Sequence, residues 1–232
     1  MLLRDLHPQI LSDAEVLILI VNYQEAESHK EFFKQLLSSE EHIQAEKYRL
    51  SNPQKNFVVR RGLLKLLLSK LLAIEPVAVE IHCSPSGKPC CSSLQFNYSD
   101  SNDYLVFAFS KNHPLGIDIE FMDGQFDYLS IIPEILHPSE LEIFHALSPD
   151  KKQKTFFDLW TGKEAYLKYN GQGLLSLQHV EYEITPSKIK LKTLHEGATA
   201  HYQSLDFDDN YSSALVTSSL ITPVIHHLSF IE

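Results

Sequence analysis

The chain has 232 residues, of which 44% are hydrophobic and 22% are charged, and these values are typical of a globular protein that can bury a core. Its three cysteines, Cys83, Cys90 and Cys91, are too few and too clustered for a disulfide framework, so a reducing, cytoplasmic compartment is expected. The net charge of −10 argues against a nucleic-acid partner, and an apolar run of only six residues at 16–21 predicts neither a signal peptide nor a membrane partner.

One segment departs from this acidic background. Residues 47–70 contain seven cations and no acid, which leaves 13 positive and 30 negative side chains in the rest of the chain. Such a segment predicts either a site for a compact anion or a solvated helix face, and its charge alone does not separate the two interpretations.

The first half of the chain combines one long helix with short strands. Residues 16–21 predict a buried strand. The cap and proline at residues 51–54 predict the start of a helix that continues to about Leu72 and places Arg61 and Lys65 one turn apart. Four shorter apolar stretches, bounded by turn residues, predict strands at 79–83, 95–98, 105–109 and 116–121.

The second half has a similar composition of elements. Residues 140–147 predict a short helix, and residues 152–169 predict a longer one that ends at Gly171. Strand patterns follow at 180–184, 189–194, 201–207, 214–217 and 224–230. This order predicts an α+β fold of two similar, pseudo-symmetric subdomains, each a sheet packed with a long helix. We place the boundary so that the subdomains comprise residues 1–122, with the basic helix, and 123–232.

Two carboxylates stand at alternate positions of the strand predicted at 116–121. Side chains two residues apart in a strand face the same side, so Asp118 and Glu120 project together while Ile117 and Ile119 enter the core. Both carboxylates stay ionised at this spacing only when a cation lies between them, and oxygen ligands of this kind suit Mg²⁺. The alternative is a half-exposed strand that carries ordinary surface acids.

The longer helix of the second half carries Glu164 and Lys168 on one face, four residues apart. One interpretation is a weak surface ion pair. The other makes Glu164 a metal ligand or general base and Lys168 a phosphate contact. The sole tryptophan, Trp160, is predicted to lie in the core.

A turn and a strand end offer possible contacts for a phosphate. Gly87 and Lys88 in a turn can present backbone N–H groups and an ammonium, and Ser99 can donate its hydroxyl. The residue spacing of a P-loop is absent from the sequence. The twelve histidines lack partners at zinc-ligand spacing, so no zinc site is predicted.

Four motifs occur in order along the chain. They are Gly87-Lys88-Pro89, Phe96-Asn97-Tyr98-Ser99-Asp100-Ser101, Gly116-Ile117-Asp118-Ile119-Glu120, and residues 160–174 with the pattern W-x-x-K-E-A-x-x-K-x-x-G-x-G-L. This ordered set resembles the 4′-phosphopantetheinyl transferase superfamily, in the two-subdomain type that activates peptide and polyketide synthetases. The resemblance covers roughly residues 40–175 and is most complete in the last two motifs.

The resemblance implies a reaction and a set of site residues. Coenzyme A is expected in a cleft between the subdomains, with Mg²⁺ held by Asp118, Glu120 and Glu164. A serine of an acyl or peptidyl carrier protein attacks the β-phosphorus, the 4′-phosphopantetheine arm moves to that serine, and adenosine 3′,5′-bisphosphate leaves. Glu164 is then the candidate base, and Lys168 stabilises the leaving phosphate. The implied coenzyme A contacts are Arg61, Lys65, Lys88, Pro89, Ser99 and Asp100. A monomer is expected to be sufficient.

The sequence departs from the family pattern at two positions. Asp100 stands where the family has a histidine, and an ionised carboxylate would repel a coenzyme A phosphate by about 1–4 kcal/mol at 4 Å. A cation such as Lys111 or His113 would offset this repulsion, or Asp100 would join the metal site. Gln44 stands where the family often has a cation, which also weakens the expected grip on phosphate.

Three functions are therefore compared. An active transferase is the leading hypothesis. The main rival, motivated by Asp100, is a catalytically weak homologue that binds coenzyme A, a nucleotide or a carrier protein without efficient transfer. A Mg²⁺-dependent nuclease built on Asp118 and Glu120 is the third, and the acidic composition argues against it.

Overall fold

A computed structural model describes residues 1–48, 51–172, 174–185, 189–192 and 199–230, without the side chains of residues 51–53 and 174–176. The predicted side-chain caps at 51–53, the motif residue Gly173 and the end of the strand predicted at 189–194 therefore lie outside the described part. Among the described helices, none combines the length and the apolar character that crossing a membrane requires.

The described residues form helices and strands in the following order. The helices are α1 (Tyr23–Ser28), α2 (Lys30–Gln35), α3 (Ser39–Glu46), α4 (Ser51–Leu72), α5 (Ile132–Ile135), α6 (Pro138–Ala146) and α7 (Pro149–Asn170). The strands are β1 (Leu17–Asn22), β2 (His82–Cys83), β3 (Pro89–Cys90), β4 (Gln95–Ser101), β5 (Tyr104–Ser110), β6 (Leu115–Phe121), β7 (Tyr182–Ile184), β8 (Ile189–Leu191), β9 (His201–Ser204), β10 (Tyr211–Thr217) and β11 (Val224–Leu228).

The structure confirms the α+β class and both long helices. Helix α7 begins earlier than predicted, because Pro149 fits the first helical turn and Ser148 precedes it with extended backbone. Helices α1, α2, α3 and α5 were not predicted from the sequence. Helix α3 has a recognisable start, since Ser38 and Glu41 form a capping box. The strand predicted at 79–83 is reduced to β2, and a 3₁₀ turn at Pro76–Ala78 ends just before it.

Two main sheets lie back to back between the two long helices. The first sheet has the strand order β11-β1-β5-β4, in which only the β1–β11 pair is parallel, and the second has the antiparallel order β6-β10-β9. Helix α4 packs on the outer face of the first sheet, and α7 packs on the outer face of the second. A third apolar cluster, with Ile18 from β1 and Ile117 from β6, fills the space between the sheets.

Strand β1 shows how the sequence produces these layers. Leu17, Leu19 and Val21 face helix α4, whereas Ile18 and Ile20 face the second sheet. Since alternate side chains of a strand point to opposite faces, both faces must be covered, and every residue of β1 except the last is buried. This explains why the sequence of β1 is a continuous apolar run.

Backbone pairing crosses the predicted subdomain boundary in both directions. Strand β6 precedes residue 122 but pairs with β10 in the second sheet, and β11 follows the boundary but pairs with β1 in the first sheet. The division into 1–122 and 123–232 stays a prediction, and the hydrogen bonding of the sheets does not follow it.

Candidate active site at the seam of the two sheets

The two sheets face each other, and along one side the edge strand β4 of the first sheet lies next to the edge strand β6 of the second. We call this line the seam. Three alternate residues of β4 are polar and turn toward β6. Asn97 Oδ1 accepts a hydrogen bond from the N–H of Ile117 at 2.9 Å, and Ser101 Oγ donates to Glu120 Oε2 at 3.0 Å. The seam is thus joined by side chains rather than by a strand ladder, which leaves polar groups of both sheets in one place.

The third of these residues, Ser99, begins a buried polar cluster. Its Oγ donates to Oδ1 of Asp118 at 2.7 Å, and Nζ of Lys168 donates to both oxygens, at 2.9 Å to Ser99 and 2.6 Å to Asp118. Lys168 Nζ also lies 3.7 Å from Oε2 of Glu164. The other oxygen of Glu164 accepts a 2.7 Å bond from Nε1 of Trp160, so this indole is a site contact as well as a neighbour of the second core.

A close approach between α7 and β6 brings these groups together. A Cβ atom on Gly116 would lie 2.1 Å from the carbonyl oxygen of Ala165 and 2.4 Å from the backbone nitrogen of Tyr169. No side chain fits in that space, so glycine allows the backbone of α7 to rest directly on β6. This contact lies beside Asp118 on the strand and between Glu164 and Lys168 on the helix.

Burial shifts the proton affinities of the two strand carboxylates. Desolvation, together with the nearby charge of Glu164, raises the pKa of Asp118 to about 6, although Lys168 and Ser99 act in the opposite direction. Desolvation and the charge of Asp118 raise the pKa of Glu120 to about 7. Desolvation lowers the pKa of Lys168, but Asp118 and Glu164 outweigh it, and the net shift of this pKa is upward. The cluster is therefore short of positive charge.

The chemistry of these residues fits a divalent cation in part. Asp118 Oδ2 is buried and has no hydrogen-bond partner among the described residues, and burial together with neighbouring carboxylates raises the pKa values of Asp118 and Glu120, which a bound cation would lower again. An all-oxygen donor set of this kind suits Mg²⁺. Within the described residues, however, no group of three or more His, Cys, Asp or Glu side chains is gathered as a metal site. The ammonium of Lys168 supplies part of the positive charge that such a cation would provide.

A cavity of about 290 Å³ opens beside this cluster. Four of the predicted site residues line it, namely Lys88, Pro89, Glu164 and Lys168, and the ring of Tyr98 forms part of its wall. Lys88 Nζ donates to the carbonyl oxygen of Leu115 at 2.9 Å, and burial lowers its pKa to about 8. Residues that are far apart in the sequence, on a turn and on α7, thus share one opening.

Both predicted anion contacts of the basic helix α4 already have an acidic partner. Arg61 lies 3.5 Å and Lys65 lies 3.3 Å from the carboxylate of Glu41, and the Lys65 side chain is only 2% exposed. Lys55 pairs with Glu27 at 3.5 Å. Glu27 and Glu41, on the preceding short helices, therefore neutralise part of the positive charge of this segment. Arg61 and Lys65 do not line the cavity.

The partner of Asp100 differs from the ones expected. Arg60 of α4 forms an ion pair with it at 2.5 Å, whereas Lys111 pairs with Asp13 at 3.2 Å and His113 lies near Ser219. Asp100 faces α4 because its neighbour Ser99 faces the seam and side chains alternate along β4. The predicted repulsion of a phosphate is therefore reduced by a cation that sequence spacing did not single out.

Comparison with known proteins identifies the family. A sequence model of the 4′-phosphopantetheinyl transferase superfamily matches residues 114–216. The 4′-phosphopantetheinyl transferase HetI of Nostoc sp. (strain PCC 7120) is 33% identical over 191 residues, which cover 79% of this chain and 80% of that protein. The transferase gsp of Aneurinibacillus migulanus is 33% identical over 113 residues, which cover 48% of this chain and 46% of that protein.

The crystal structure of the Thermotoga maritima holo-[acyl-carrier-protein] synthase AcpS matches 45% of this chain and 61% of its own, with a TM-score of 0.37 and 23% sequence identity. The assignment rests on the sequence relatives, whose match spans most of both chains in the case of the Nostoc protein. The protein belongs to the 4′-phosphopantetheinyl transferase superfamily and is an enzyme of that class.

Proposed function

We propose that the protein transfers the 4′-phosphopantetheine arm of coenzyme A to a serine of an acyl or peptidyl carrier protein, with Mg²⁺ as cofactor and adenosine 3′,5′-bisphosphate as the second product. The observation that carries this proposal is the position of Lys168, which bonds to Asp118 and Ser99 and lines the same cavity as Glu164 and Lys88. Phosphoryl transfer depends mainly on positioning and charge neutralisation, and this cluster can supply both.

Each residue has a defined part in the proposed reaction. Glu164 accepts the proton of the carrier serine while the serine oxygen bonds to the β-phosphorus. The bond from that phosphorus to the bridging oxygen breaks, and Lys168 stabilises the negative charge on the departing phosphate. Asp118, Glu120 and Glu164 would hold Mg²⁺, which when bound neutralises charge on the diphosphate.

The proposed coenzyme A contacts divide into three groups. Lys88, Pro89 and Ser99 lie at the cavity or bond to a residue that lines it, so they are proposed as direct contacts. Arg61 and Lys65 would reach a phosphate only by exchanging their present partner Glu41, so we assign them a smaller contribution. Asp100 contributes through Arg60, which it holds beside the same strand.

The proposal also covers the setting of the reaction. The partners are coenzyme A and a carrier protein. A monomer is proposed to be sufficient. The reaction is placed in the cytoplasm, in keeping with the cysteine content.

A panel of apo-carrier proteins tests the proposal. Each carrier is incubated with the protein, coenzyme A and Mg²⁺, and its intact mass is measured. We expect one carrier to gain a single phosphopantetheine group, and expect Asp118→Ala and Glu164→Ala to abolish this gain while circular dichroism stays unchanged. Coenzyme A binding by calorimetry without any mass gain would favour the weak homologue. Normal turnover in either variant would discard the metal assignment.

A further inference from the structure

Helix α7 contains a second ion pair that the proposed reaction does not use. Lys163 Nζ lies 2.7 Å from Oε2 of Glu140 on α6, and both side chains are 0% exposed. Lys163 Nζ also donates to the carbonyl oxygens of Val180, at 2.6 Å, and Leu177, at 3.4 Å. All three of its N–H bonds can therefore be directed at acceptors from other elements.

Both carboxylate oxygens of Glu140 also accept hydrogen bonds from the backbone. Its Oε1 accepts the N–H of Tyr182 at 2.7 Å, and its Oε2 accepts the N–H of His137 at 2.7 Å. The hydroxyl of Tyr182 donates in turn to the carbonyl oxygen of Gly162, at 2.7 Å, one residue before Lys163. The start of α6, one turn of α7 and the segment that ends in β7 thus converge on a single buried pair.

Stability alone does not account for such an arrangement. Desolvation of two buried charges offsets much of their attraction, and well-packed apolar side chains of similar size are often as stable. A network in which every donor and acceptor is matched does, however, define one geometry. Here it restricts the rotation of α7 about its axis and its shift along that axis.

The turn of α7 that this network holds also carries Glu164, the proposed base. Lys163 directly precedes Glu164, and residues of an α-helix follow one another every 100° around the axis. The Lys163–Glu140 pair therefore holds α7 from one side, while the close contact with Gly116 holds it from another. Any rotation of α7 that lengthens the buried pair also moves Glu164 and Lys168 together relative to Asp118 on β6.

We propose that Lys163 and Glu140 are positioning residues for the transfer reaction, which set the rotation of α7 and thereby the place of the Glu164 carboxylate. This inference rests on the proposed function for its kinetic consequence but not for its structural one. A displacement of about 1 Å in a reacting group can lower turnover about 100-fold. Binding of coenzyme A depends on Lys88 and the turn at Gly87, which the pair does not contact.

The double variant K163M/E140Q removes both charges and keeps the length of both side chains. We expect it to fold, with a coenzyme A Kd within about threefold of wild type and a kcat at least about tenfold lower. Trp160 is the only tryptophan of the chain, and its ring lies 5.9 Å from that of Phe126, which is outside α7, so its fluorescence spectrum reports on the rotation of α7 independently of turnover. We expect the emission maximum of the double variant to shift.

A matched control and a second variant complete the experiment. K154M removes another ion pair of α7, Lys154–Asp158, which is 2.9 Å long but lies at the surface, and we expect wild-type kcat and fluorescence. E140D keeps both charges and shortens one side chain, so it tests the geometry if the double variant does not fold. We expect lower kcat and shifted fluorescence in E140D.

The outcomes are distinguishable from a failure of the proposed function. Wild-type kcat and an unchanged Trp160 spectrum in folded K163M/E140Q, or in E140D, would overturn the positioning role. Should the wild-type protein modify no carrier, the proposed function fails, and the Trp160 spectra alone decide whether the pair sets the rotation of α7.

Discussion

Nζ of Lys168 lies 2.6 Å from Oδ1 of Asp118, so a helix of the second half places its ammonium directly on a buried carboxylate at the seam. This ammonium is the main positive neighbour of the Asp118 carboxylate, whose second oxygen has no hydrogen-bond partner among the described residues. The same group is exposed to the cavity through the 25% of its side chain that remains accessible.

Lys168→Ala should slow transfer more than it weakens binding of coenzyme A. The ammonium is proposed to stabilise charge that develops as the nucleotide phosphate departs, so its loss should lower kcat by about 100-fold or more. The Kd measured by calorimetry should change by less than about tenfold, because Lys88 remains in the cavity. Lys154→Ala, on the same helix but at the surface, serves as the control. A Kd that changes more than kcat would reassign Lys168 to binding.

At Mg²⁺ concentrations below saturation, activity should depend on pH with an acid limb between about pH 6 and 7. Asp118 and Glu120 have pKa values raised to about 6 and about 7, and both must be ionised to hold Mg²⁺. Transfer should therefore rise with pH through this range, and Glu120→Gln should alter the upper part of the limb in the activity that remains. An acid limb centred near pH 4.5, the ordinary range of carboxylates, would contradict the assignment.

The same two carboxylates should make the metal-free protein less stable as pH rises. An acid whose pKa is raised on folding binds a proton in the folded state that the unfolded state has already released, so between about pH 4 and 7 stability falls with increasing pH. Thermal unfolding at pH 5 and pH 8, with and without Mg²⁺, measures this effect. We expect Mg²⁺ to raise the melting temperature more at pH 8, and Asp118→Asn to reduce that difference. An equal effect of Mg²⁺ at both pH values would contradict this prediction.

Asp100→His should strengthen binding of coenzyme A. The substitution removes the counter-ion of Arg60 and adds a second donor beside it, which increases local positive charge. Calorimetry should give a Kd several-fold lower at low salt, with a smaller change at high salt. Arg60→Met, which leaves Asp100 without its partner, should weaken binding instead. Weaker binding in Asp100→His would show that Asp100 is needed to hold Arg60 in place.

Gly116→Ala should disrupt the site through packing alone. The new Cβ would lie 2.1 Å from a backbone oxygen of α7, so helix and strand must separate, at a cost of about 1–3 kcal/mol or more. We expect a lower melting temperature and loss of transfer. Gly124→Ala is the matched control, because a Cβ there meets no atom within 4 Å. Wild-type stability and turnover in Gly116→Ala would show that α7 does not need this close contact.

The parts of the fold that could be predicted are those encoded by local patterns. Helix α7 and strand β6 follow from periodicity and from Gly171, whose left-handed backbone ends the helix. The parallel pairing of β11 with β1 could not be predicted, since it joins residues about 200 positions apart and has no local signature. The short helices before α4 were missed because their apolar periodicity spans too few turns.

In the candidate site, too, contacts encoded by local spacing were predicted, and contacts that depend on packing were not. Alternation along β6 placed Asp118 and Glu120 on one side, and helical spacing joined Glu164 to Lys168, as the structure describes. The pairing of Arg60 with Asp100 depends on the packing of α4 against β4, which sequence spacing does not reveal. The bond from Trp160 to Glu164 was detectable, since the two are four residues apart, but a buried aromatic residue was the simpler interpretation.

The return of β11 to the first sheet has a consequence for biosynthesis. Strand β1 lacks its parallel neighbour until residues 224–228 have left the ribosome, because no earlier strand of the described residues pairs with that edge. Even after β5 has paired with β1, the nascent chain therefore keeps one edge of an apolar strand open until late in translation, and a chaperone that covers this edge would be expected to raise the yield of native enzyme.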